Sequence, residues 1–461
     1  MTADMPFSVR GQRVTVVGAA RSGVAAAELL VRRGAAVTLS DVRAHLDDED
    51  RLRQAGVELE LGGHVSSTFL GADLIVTSPG VPYFHPLLEA ARQAGVPVMG
   101  ELELASRWLR GRIVAITGTK GKSTTTTLTG RMLEAGGHRV LVGGNIGHAL
   151  SAQVDESTED TIHVIEASSF QLEATDTFHP WIAVLLNFSP DHLDRHSTVD
   201  EYAAAKTKMF TQQTDDDWAV LNADDSAALE MARTTRARRM LFSLRGNLSD
   251  GVVLDGDTIV RRAGTELEPL VPLSSIRLIG PHLVADVLAA AAVAWLAGVG
   301  AAAMTRAVEA FSGLEHALEP VGEVGGVRFV NDSKATNIEA AKRAIESFDA
   351  GVVVILGGRF KGGDFRDLLE PLESRQATVV SIGESRPLVA QALAGRVALH
   401  EASDMSAAVR TAFASASPGQ TVVLAPACAS FDMFRDYAER GYAFKQEVLR
   451  LQEEWSVMRE Q

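Results

Sequence analysis

The feature that most constrains the fold is a glycine loop, Gly118-Thr119-Lys120-Gly121-Lys122-Ser123-Thr124, which follows an apolar strand and opens a helix. Its glycines let the backbone curl so that successive N–H groups face an anion, and the helix N-terminus adds partial positive charge. We expect Lys122 to contact the β- and γ-phosphates of a nucleotide and the Ser123 hydroxyl to bind Mg²⁺. A chance glycine turn is the alternative, but the strand–loop–helix context favours a phosphate site in an α/β domain.

The length and composition of the chain limit its class. With 461 residues it is too long for one hydrophobic core, so two to four domains are expected. A net charge of −15 repels nucleic-acid backbones and anionic lipid, so we predict no nucleic-acid partner. The single cysteine, Cys428, excludes an internal disulfide, and with no signal-peptide pattern this predicts a cytoplasmic protein. The most apolar segment, 288–299, is too short to span a membrane.

The first segment of the chain opens as a βαβ unit. An apolar strand at 13–17 runs into the turn 18–23, and a helix over 24–33 leads to a second strand that ends at Asp41. This order predicts parallel strands joined by a right-handed crossover. A further buried strand is expected at 74–77.

Two later segments show the same alternation of strand and helix. The predicted strands there are short apolar runs at 113–117, 162–165, 182–186, 327–330, 352–356, 379–382 and 421–424. Asp250-Gly251 and Asp255-Gly256 predict small antiparallel hairpins. The predicted fold is α/β with three domains, 1–106, 107–313 and 314–461, each with a mostly parallel sheet.

Three polar side chains beyond the glycine loop are candidates for chemistry. Glu166 ends an apolar strand, where open α/β sheets bind ligands, and a carboxylate there suits Mg²⁺. His192, in the polar run 187–194 after another strand, is either a metal or substrate contact or a loop histidine. Lys206 lies in a helical stretch, where by itself it reads as a solvated surface lysine.

Three more loops follow strands of the third segment. They are Asn331-Asp332-Ser333-Lys334-Ala335-Thr336-Asn337, Gly357-Gly358-Arg359-Phe360-Lys361 and Ala425-Pro426-Ala427-Cys428-Ala429-Ser430-Phe431-Asp432. Asp332 and Ser333 could simply cap a helix, whereas the cations of the second loop could hold carboxylates or phosphates. Because the carboxyl ends of parallel strands share one sheet edge, the three loops predict a second substrate face.

These motifs resemble those of the Mur ligase family. Ile116 stands where the first glycine of the common phosphate loop would be, and the shortened loop that follows is characteristic of Mur ligases and folylpolyglutamate synthetases. The resemblance runs from Gly18 to about Lys445, and its strongest motifs lie at 118–124, 331–337 and 427–432. The run that starts at Asp332 points to the branch of the family that adds D-glutamate.

The resemblance implies both a fold and a reaction. The first domain is expected to be Rossmann-like and to bind UDP, the central domain to resemble P-loop ATPases and hold ATP, and the third to be Rossmann-like, bind D-glutamate and close over both. The implied reaction activates the carboxylate of UDP-N-acetylmuramoyl-L-alanine as an acyl phosphate, which the D-glutamate amine then attacks. ADP and phosphate are the other products, in peptidoglycan precursor synthesis. Mg²⁺, a carbamylated Lys206 and a monomeric chain are also implied.

The resemblance further implies roles for individual residues. Those for the nucleotide and the transferred phosphate are Gly118, Thr119, Lys120, Gly121, Lys122, Ser123, Thr124, Asp332 and Lys334. Those for Mg²⁺ are Ser123, Glu166, His192 and Lys206. Those for the UDP-linked substrate are Arg21, Ser22, Asp41, Arg43, Asn145, Ser168 and His192. Those for D-glutamate are Thr336, Lys361, Ser430, Phe431 and Tyr437. The residues expected to be catalytic are Lys122, His192, Lys206 and Lys334.

The chain departs from the family pattern at three positions. Leu283 stands where an Asn that touches adenine is usual, Ala317 where an Arg is usual, and Val42 where a Thr is usual. The first two departures remove expected adenosine contacts, and the third removes a uridine contact. The phosphate, metal and D-glutamate residues are all retained.

Three alternatives to a D-glutamate-adding ligase remain open from the sequence. Another Mur or folylpolyglutamate-type ligase would differ in the amino acid that it adds. A dinucleotide-binding dehydrogenase is disfavoured because the turn from Gly18 to Gly23 lacks the middle glycine of G-x-G-x-x-G. A non-catalytic nucleotide-binding regulator is disfavoured because the predicted catalytic lysines, the carboxylate and the histidine are retained together.

Overall fold

A computed structural model describes residues 7–192, 195–277 and 281–460. They form three β-sheets of five, nine and six strands in chain order, flanked by helices. Two compact units contain these sheets: one holds the described residues as far as Ile276 together with His282–Ala310, and the other holds Phe311 and the described residues that follow. The predicted α/β class with three mostly parallel sheets is confirmed, while the domain boundaries near 106 and 313 stay predictions.

The strands and helices alternate along most of the chain. The strands are β1 (Arg13–Val17), β2 (Ala36–Asp41), β3 (Val57–Leu61), β4 (Leu74–Thr77), β5 (Val98–Gly100), β6 (Arg112–Thr117), β7 (Arg139–Gly144), β8 (Thr161–Glu166), β9 (Ile182–Leu185), β10 (Trp218–Asn222), β11 (Arg238–Ser243), β12 (Asp250–Asp255), β13 (Thr258–Ala263), β14 (Glu266–Pro272), β15 (Glu319–Val324), β16 (Val327–Asn331), β17 (Val352–Gly357), β18 (Thr378–Ile382), β19 (Ala398–Glu401) and β20 (Thr421–Leu424). The helices are α1 (Arg21–Arg32), α2 (Glu49–Gln54), α3 (Ser66–Leu70), α4 (Pro86–Gln93), α5 (Glu101–Ser106), α6 (Lys122–Ala135), α7 (Leu150–Gln153), α8 (Ser169–Leu172), α9 (Val199–Thr207), α10 (Ser226–Met231), α11 (Pro281–Leu296), α12 (Ala301–Glu309), α13 (Ile338–Glu346), α14 (Leu369–Ser374), α15 (Arg386–Leu393), α16 (Met405–Ser415) and α17 (Tyr437–Glu460).

The first sheet has the order β3-β2-β1-β4-β5, and its strand pairs are parallel. Helix α1 begins at Arg21, three residues before the predicted start, because the turn after β1 is tight. A Cβ on Gly23 would lie 1.8 Å from the Gly18 carbonyl oxygen, so the backbone packs too closely there for a side chain. The sequence pattern missed β3, whose apolar residues alternate with half-exposed or exposed glutamates instead of forming an apolar run.

The second sheet has the order β14-β13-β12-β11-β10-β9-β6-β8-β7. Its strands are parallel from β7 to β12, and β12, β13 and β14 extend it as an antiparallel meander. The predicted turn at Asp255-Gly256 is confirmed. The predicted turn at Asp250-Gly251 is wrong: this pair begins β12, and a Cβ on Gly251 would lie 2.5 Å from the Leu241 carbonyl oxygen, so the glycine permits close strand packing.

The third sheet has the order β15-β16-β20-β17-β18-β19. The four strands predicted from apolar runs form its interior, where parallel strands are covered on both faces. The two edge strands, β15 and β19, were not predicted because their residues are mostly half-buried or exposed. Helix α11 of the other unit contains a run of buried apolar residues from Val287 to Ala294. In the described parts of the chain, no helix has the length and hydropathy that a membrane crossing requires.

Two buried carboxylates on α5 fasten the segment between the first and second sheets. Glu103 accepts hydrogen bonds from the N–H groups of Asp176, Thr177 and Phe178. Burial opposes its ionisation, but these bonds and Arg107 lower its pKa. Glu101 accepts the Ser151 N–H at 2.7 Å, and burial raises its pKa. Helix α5 is therefore tied by charge and hydrogen bonds to loops of the second sheet.

The buried histidine of β8 predicts an acid-sensitive contribution to stability. His163 is fully buried beside Ser157 Oγ, and burial lowers its pKa from 6.5 to about 4. As the pH falls below 6.5, the unfolded chain binds the proton first, so the folded state loses up to about 3 kcal/mol until it too is protonated. We expect His163→Leu to lose less stability than wild type between neutral pH and about pH 5, measured by urea unfolding. Equal losses in the two proteins would contradict this assignment.

Candidate active site

The glycine loop lies between β6 and α6. Gly121, with φ 81°, immediately precedes the first turn of α6. Glycine offers no capping oxygen to the first N–H groups of that helix, which suits the binding of an anion. A Cβ on Gly118 would lie 3.0 Å from the Leu186 side chain, so the loop packs tightly against the end of β9.

The segment after β9 braces the glycine loop. The Lys120 N–H donates to Asn187 Oδ1 at 2.9 Å, and Asn187 Nδ2 donates to the Lys120 carbonyl at 3.0 Å. The Thr119 hydroxyl donates to the Ser189 carbonyl at 3.0 Å and accepts the Ser189 N–H at 3.0 Å. These four hydrogen bonds hold the loop to the segment that follows β9.

A buried carboxyl group, that of Asp286 in α11, lies behind the turn of the glycine loop. A Cβ on Gly121 would lie 2.2 Å from Asp286 Oδ1, so a side chain does not fit there without displacing the carboxyl group. Burial raises the pKa of Asp286 well above its usual value. Its Oδ2 is buried with no hydrogen-bond partner among the described residues. Burial therefore shifts this carboxyl group toward its protonated form relative to a solvated aspartate.

Two lysines share one carbonyl oxygen of the loop. Lys122 Nζ donates to the Gly118 carbonyl at 3.0 Å and to the Thr119 carbonyl at 2.9 Å. Lys206 Nζ donates to the same Gly118 carbonyl at 2.8 Å. The interpretation of Lys206 as a solvated surface lysine is wrong, because the residue is 1% exposed. Burial, followed by the charge of Lys122, lowers the pKa of Lys206 to about 6.

Aromatic and imidazole rings surround Lys206. Its Nζ lies 4.7 Å from the ring centroid of Tyr202, whose pKa burial raises to about 12. His192 has a positive φ of 55°, and its ring centroid lies 5.0 Å from that of Phe170. His196 is buried, with Nε2 3.0 Å from Ser169 Oγ. Of the predicted polar run, residues 193 and 194 lie outside the described part of the chain.

Glu166 ends β8 beside the strand that leads into the glycine loop, where Ile116 is its register partner. Its Oε1 accepts a hydrogen bond from Asn145 Nδ2 at 2.7 Å. Its Oε2 is buried, with no hydrogen-bond partner among the residues that the structure describes. Ser168 forms a capping box with Gln171 at the start of α8. The structure thus brings Asn145 and Glu166 together, whereas the Ser168 side chain caps a helix.

This donor set fits a Mg²⁺ ion whose coordination is completed by a substrate. Within the described ranges, no group of three or more His, Cys, Asp and Glu side chains is arranged to hold a metal ion. Mg²⁺ typically takes one or two carboxylates together with phosphate and water oxygens. The buried Glu166 Oε2 is such a carboxylate oxygen, and the Ser123 hydroxyl in the first turn of α6 is a second candidate ligand.

The turn after β1 carries the predicted UDP-binding residues. Asp41 accepts the Ala19 N–H at 2.5 Å and pairs with both Nε and Nη2 of Arg43 at 3.0 and 3.1 Å. Burial opposes its ionisation, but these hydrogen bonds lower its pKa to about 2. Arg21 donates to the Gly147 carbonyl at 2.9 Å. Arg21 and Arg43 line a cleft of about 690 Å³, and Ser22 is half-buried in the first turn of α1.

In the second unit, Asp332 follows β16 and is 8% exposed. It accepts the Leu318 N–H at 3.2 Å, and burial raises its pKa to about 7. The alternative of a helix cap is wrong for Asp332 and Ser333, because α13 begins at Ile338 and Asn337 caps it. The Lys334 N–H donates to the carbonyl of His316 at 3.0 Å, which anchors the backbone of this loop.

The predicted D-glutamate residues lie on three loops of the second unit and at the start of α17. Lys361 Nζ lies 3.4 Å from Thr336 Oγ1, so the structure brings these two together. Ser430 is buried, whereas Phe431 and Tyr437 are 61% and 40% exposed. Contact of these five residues with an amino acid stays a prediction.

A buried arginine that the sequence pattern did not identify joins these loops. Arg440 donates from Nε to Ser333 Oγ at 2.9 Å and from Nη2 to the Ser333 carbonyl at 2.8 Å. Its Nη1 donates to the Cys428 carbonyl at 3.0 Å, and burial lowers its pKa to about 10. An arginine in a charged helix ordinarily reads as solvated, so tertiary contacts alone reveal this role.

The three departures from the family pattern lie at accessible positions. Val42 is 69% exposed, and Leu283 and Ala317 are half-buried. The side chains of Pro281 and His282, which precede Leu283, lie outside the description.

The sequence pattern missed two polar residues at the glycine loop, Asn187 and Asp286. A sequence signal existed for Asp286, because it is an acid within an apolar helical stretch.

Sequence profiles of protein families match all three sheets. The profile described as "Mur ligase MurD-like, N-terminal domain" matches residues 12–100. "Mur ligase middle domain" matches residues 116–294, and "Mur ligase, glutamate ligase domain" matches residues 318–428.

Curated relatives match nearly the whole chain. The UDP-N-acetylmuramoylalanine–D-glutamate ligase of Acidobacterium capsulatum is 48% identical over 96% of this chain and 97% of its own length. Proteins of the same name from Koribacter versatilis and Solibacter usitatus are 43% and 45% identical. These two alignments cover 97% and 96% of this chain, and 99% and 98% of the relatives.

Solved structures show the same fold at lower identity. The UDP-N-acetylmuramate–alanine ligase of Thermotoga maritima superposes with a TM-score of 0.60 at 18% identity, over 96% of this chain and 100% of that one. A pseudomurein peptide ligase type C of Methanothermus fervidus gives 0.58 at 16% identity, over 95% and 100%. Since the curated relatives exceed 40% identity over almost the full length, this chain belongs to the Mur ligase family, among the UDP-N-acetylmuramoylalanine–D-glutamate ligases.

Proposed function

We propose that this chain joins D-glutamate to UDP-N-acetylmuramoyl-L-alanine at the expense of ATP, in the synthesis of peptidoglycan precursors. The observation that carries the proposal is the pair of lysines, Lys122 and Lys206, on one carbonyl of a phosphate loop, in a chain whose curated relatives are named for this reaction. The low pKa of Lys206 and the unpaired oxygen of Glu166 support the same site.

The proposed reaction has two chemical steps. The alanyl carboxylate attacks the γ-phosphorus of ATP, and the bond to ADP breaks to leave an acyl phosphate. The amine of D-glutamate attacks the acyl carbon and loses a proton, and the carbon–oxygen bond to phosphate breaks, so an amide remains. Both steps need reacting atoms about 3 to 3.5 Å apart, which makes positioning the main contribution of the protein.

The glycine loop would hold the nucleotide phosphates. Lys122 Nζ is held over the mouth of the loop by the carbonyls of Gly118 and Thr119, and phosphate oxygens would compete for the same ammonium. Negative charge spreads over the transferred phosphoryl group, so a cation fixed there lowers the barrier. The backbone N–H groups of the loop and the first turn of α6 would add partial positive charge.

Mg²⁺ would neutralise phosphate charge when it is bound together with ATP. Its proposed protein ligands are Ser123, Glu166 and a carbamylated Lys206, with His192 as a further candidate. Each contributes an oxygen or nitrogen at the carboxyl edge of the second sheet, where open α/β sheets bind ligands.

The surroundings of Lys206 support its proposed carbamylation. A neutral amine attacks carbon dioxide, a nitrogen–carbon bond forms, and a proton leaves to solvent, which gives an anion with two oxygens. With a pKa of about 6, Lys206 is mostly neutral at pH 7, as this reaction requires. The charge of Lys122 disfavours an ammonium at Lys206 and favours a carbamate there, so modification turns a repulsive pair into an attractive one.

The remaining assignments divide between the two units. In the first, Arg21, Ser22, Asp41 and Arg43 would bind the UDP end, and Asn145, Ser168 and His192 the muramoyl-alanine end. In the second, Lys334 and Asp332 would face the nucleotide. The residues proposed for D-glutamate are Thr336, Lys361, Ser430, Phe431 and Tyr437. One cation and three hydroxyls in this set offer partners for a substrate with two carboxylates.

The amino-acid specificity of the reaction tests the proposal most directly. With UDP-N-acetylmuramoyl-L-alanine and ATP, we expect phosphate release with D-glutamate to exceed release with L-glutamate, D-alanine, glycine or meso-diaminopimelate by about a hundredfold or more. The cation of Lys361 would favour an amino acid that has a second carboxylate. Comparable turnover with another amino acid would overturn the D-glutamate assignment but leave an amide ligase standing.

The phosphate loop predicts a large effect of one lysine. Lys122→Ala removes the cation held at the loop carbonyls, and we expect the rate of phosphate release to fall about a thousandfold. Thermal melting should show an intact fold, since the Nζ bonds of Lys122 involve loop carbonyls and not the core. Turnover within about tenfold of wild type would show that this loop is not the catalytic phosphate site.

The carbamate predicts a spectroscopic signal as well as a loss of activity. Lys206→Met keeps most of the length of the side chain but removes the amine, and we expect activity to fall about a hundredfold or more, with partial rescue by acetate. Wild type incubated with ¹³C-bicarbonate near neutral pH should show a carbamate carbon resonance that Lys206→Met lacks. Near-normal activity of Lys206→Met, or identical spectra, would rule out the modification.

A further inference from the structure

We propose that Arg195 is a positioning residue that fixes the separation between the UDP end of the substrate and its reacting carboxylate. It does so by joining a loop of the first sheet to the turn that follows β8 in the second sheet. This inference rests on the proposed function, because it concerns a substrate that extends from one sheet to the other.

The guanidinium of Arg195 has contacts on both sides of this junction. Its Nη2 donates to the Val81 carbonyl at 2.7 Å, and its Nη1 lies 3.4 Å from the Gly80 carbonyl, both in the loop after β4. The same Nη2 donates to Glu173 Oε1 at 2.7 Å. The guanidinium also lies over the ring of Phe170, 4.9 Å from its centroid.

On the side of the first sheet, the loop after β4 presses against the turn that carries the predicted diphosphate contacts. A Cβ on Gly18 would lie 2.8 Å from Val81 Cγ2 and 3.0 Å from Ser78 Cβ. Since Gly18 opens the turn that leads to Arg21 and Ser22, a shift of the Val81 loop would disturb that turn. The Val81 carbonyl is therefore a point where the UDP end can be held in place.

On the side of the second sheet, Arg195 touches the segment that follows Glu166. Glu173 is the C-cap residue of α8, the helix that Ser168 caps at its other end. The Arg195 N–H donates to the His192 carbonyl at 3.0 Å. One residue thus links the turn of Glu166 and Ser168, the turn of His192 and the Val81 loop.

The loop after β4 and the segment that follows β8 are tightly packed against each other. A crevice lined by both Val81 and Glu173 has a volume of about 10 Å³, which is at the lower limit for one water molecule. The separation between loop and turn is accordingly set by direct contact and by the guanidinium.

Burial of this ion pair indicates a role in geometry more than in stability. The side chains of Arg195 and Glu173 are 16% and 12% exposed. The desolvation cost of a buried ion pair offsets most of its attraction, so apolar residues of similar size would stabilise the fold as well. A planar guanidinium that has three acceptors fixes the direction and the distance between the groups it joins, which apolar packing does not.

The functional consequence concerns how binding energy is used. Interactions with the distant UDP end accelerate the reaction only if they help to place the carboxylate. Without a fixed separation, the UDP end would still bind, but the carboxylate would be held less accurately. We therefore expect loss of Arg195 to reduce the catalytic advantage that the UDP group confers.

The test compares two substrates in wild type and Arg195→Met. One is UDP-N-acetylmuramoyl-L-alanine, and the other is the same sugar–alanine with a single phosphate in place of UDP. For Arg195→Met we expect kcat/KM to fall about tenfold or more with the first substrate and less than about threefold with the second. KM for ATP should be unchanged, and Arg195→Lys should be intermediate because a lysine reaches fewer acceptors. Equal falls with the two substrates would overturn the proposal.

Binding measurements give a second readout if the shorter substrate reacts too slowly to measure. Calorimetry should show weaker binding of UDP-N-acetylmuramoyl-L-alanine to Arg195→Met than to wild type, with the binding of UDP alone unchanged. Weakening of both, or of neither, would contradict a positioning role. Failure of the proposed function would show differently, as a wild type that binds the substrate but does not respond to D-glutamate.

Arg32→Met is the matched control. Arg32 pairs with Asp155 at 3.0 Å. This exposed ion pair also crosses the junction, because it joins α1 of the first sheet to the segment after α7, between β7 and β8 of the second sheet. It lies outside the predicted substrate and metal residues, and Arg33 continues to hold Asp155. We expect Arg32→Met to keep both values of kcat/KM within about twofold of wild type. A substrate-dependent fall in this variant would overturn the specific role of Arg195, because any loosening of the junction would then have the same effect.

Discussion

The carbonyl of Gly118 receives two lysine side chains, and much of the site depends on this contact. Two full positive charges on Lys122 and Lys206, both about 3 Å from one oxygen, would repel each other strongly at a buried position. The protein resolves this by keeping one amine largely neutral, which the burial of Lys206 achieves. The shared carbonyl thus places a buried, largely neutral amine directly beside the half-buried lysine of the glycine loop.

Buried ionisable groups recur wherever loops of different strands must be held together. Glu103 gathers three N–H groups of one segment, Arg440 links the loops of Ser333 and Cys428, and Asp286 lies under Gly121. Each is hydrogen-bonded to backbone, or lies against it where a side chain would not fit. Such groups add less to the free energy of folding than to the choice of one loop geometry. A ligase whose chemistry relies on placement has a clear use for that property.

The sequence allowed most interior strands to be predicted, although it missed β10 of the second sheet, and it predicted the sheet edges poorly. Strands β4, β6 and β20 were found as apolar runs because parallel strands covered on both faces need apolar side chains at every position. Strands β3, β15 and β19 have one exposed face, so they contain no continuous apolar run and were not predicted. For the site, position at a strand end identified Glu166, and the glycine loop identified Lys122. The role of Arg440 depends on burial by residues far away in sequence, which no local pattern records, whereas Asp286 stands out locally as an acid within an apolar helical stretch.

The second sheet ends at β14, and an open edge of so large a sheet is a potential template for pairing with another chain. This strand carries prolines at 269 and 272, which lack the N–H that a neighbouring strand would need. Its glutamates at 266 and 268 are exposed and would place like charges opposite each other in a symmetric pair. The composition of this strand thus protects the sheet against edge-to-edge aggregation during synthesis and folding.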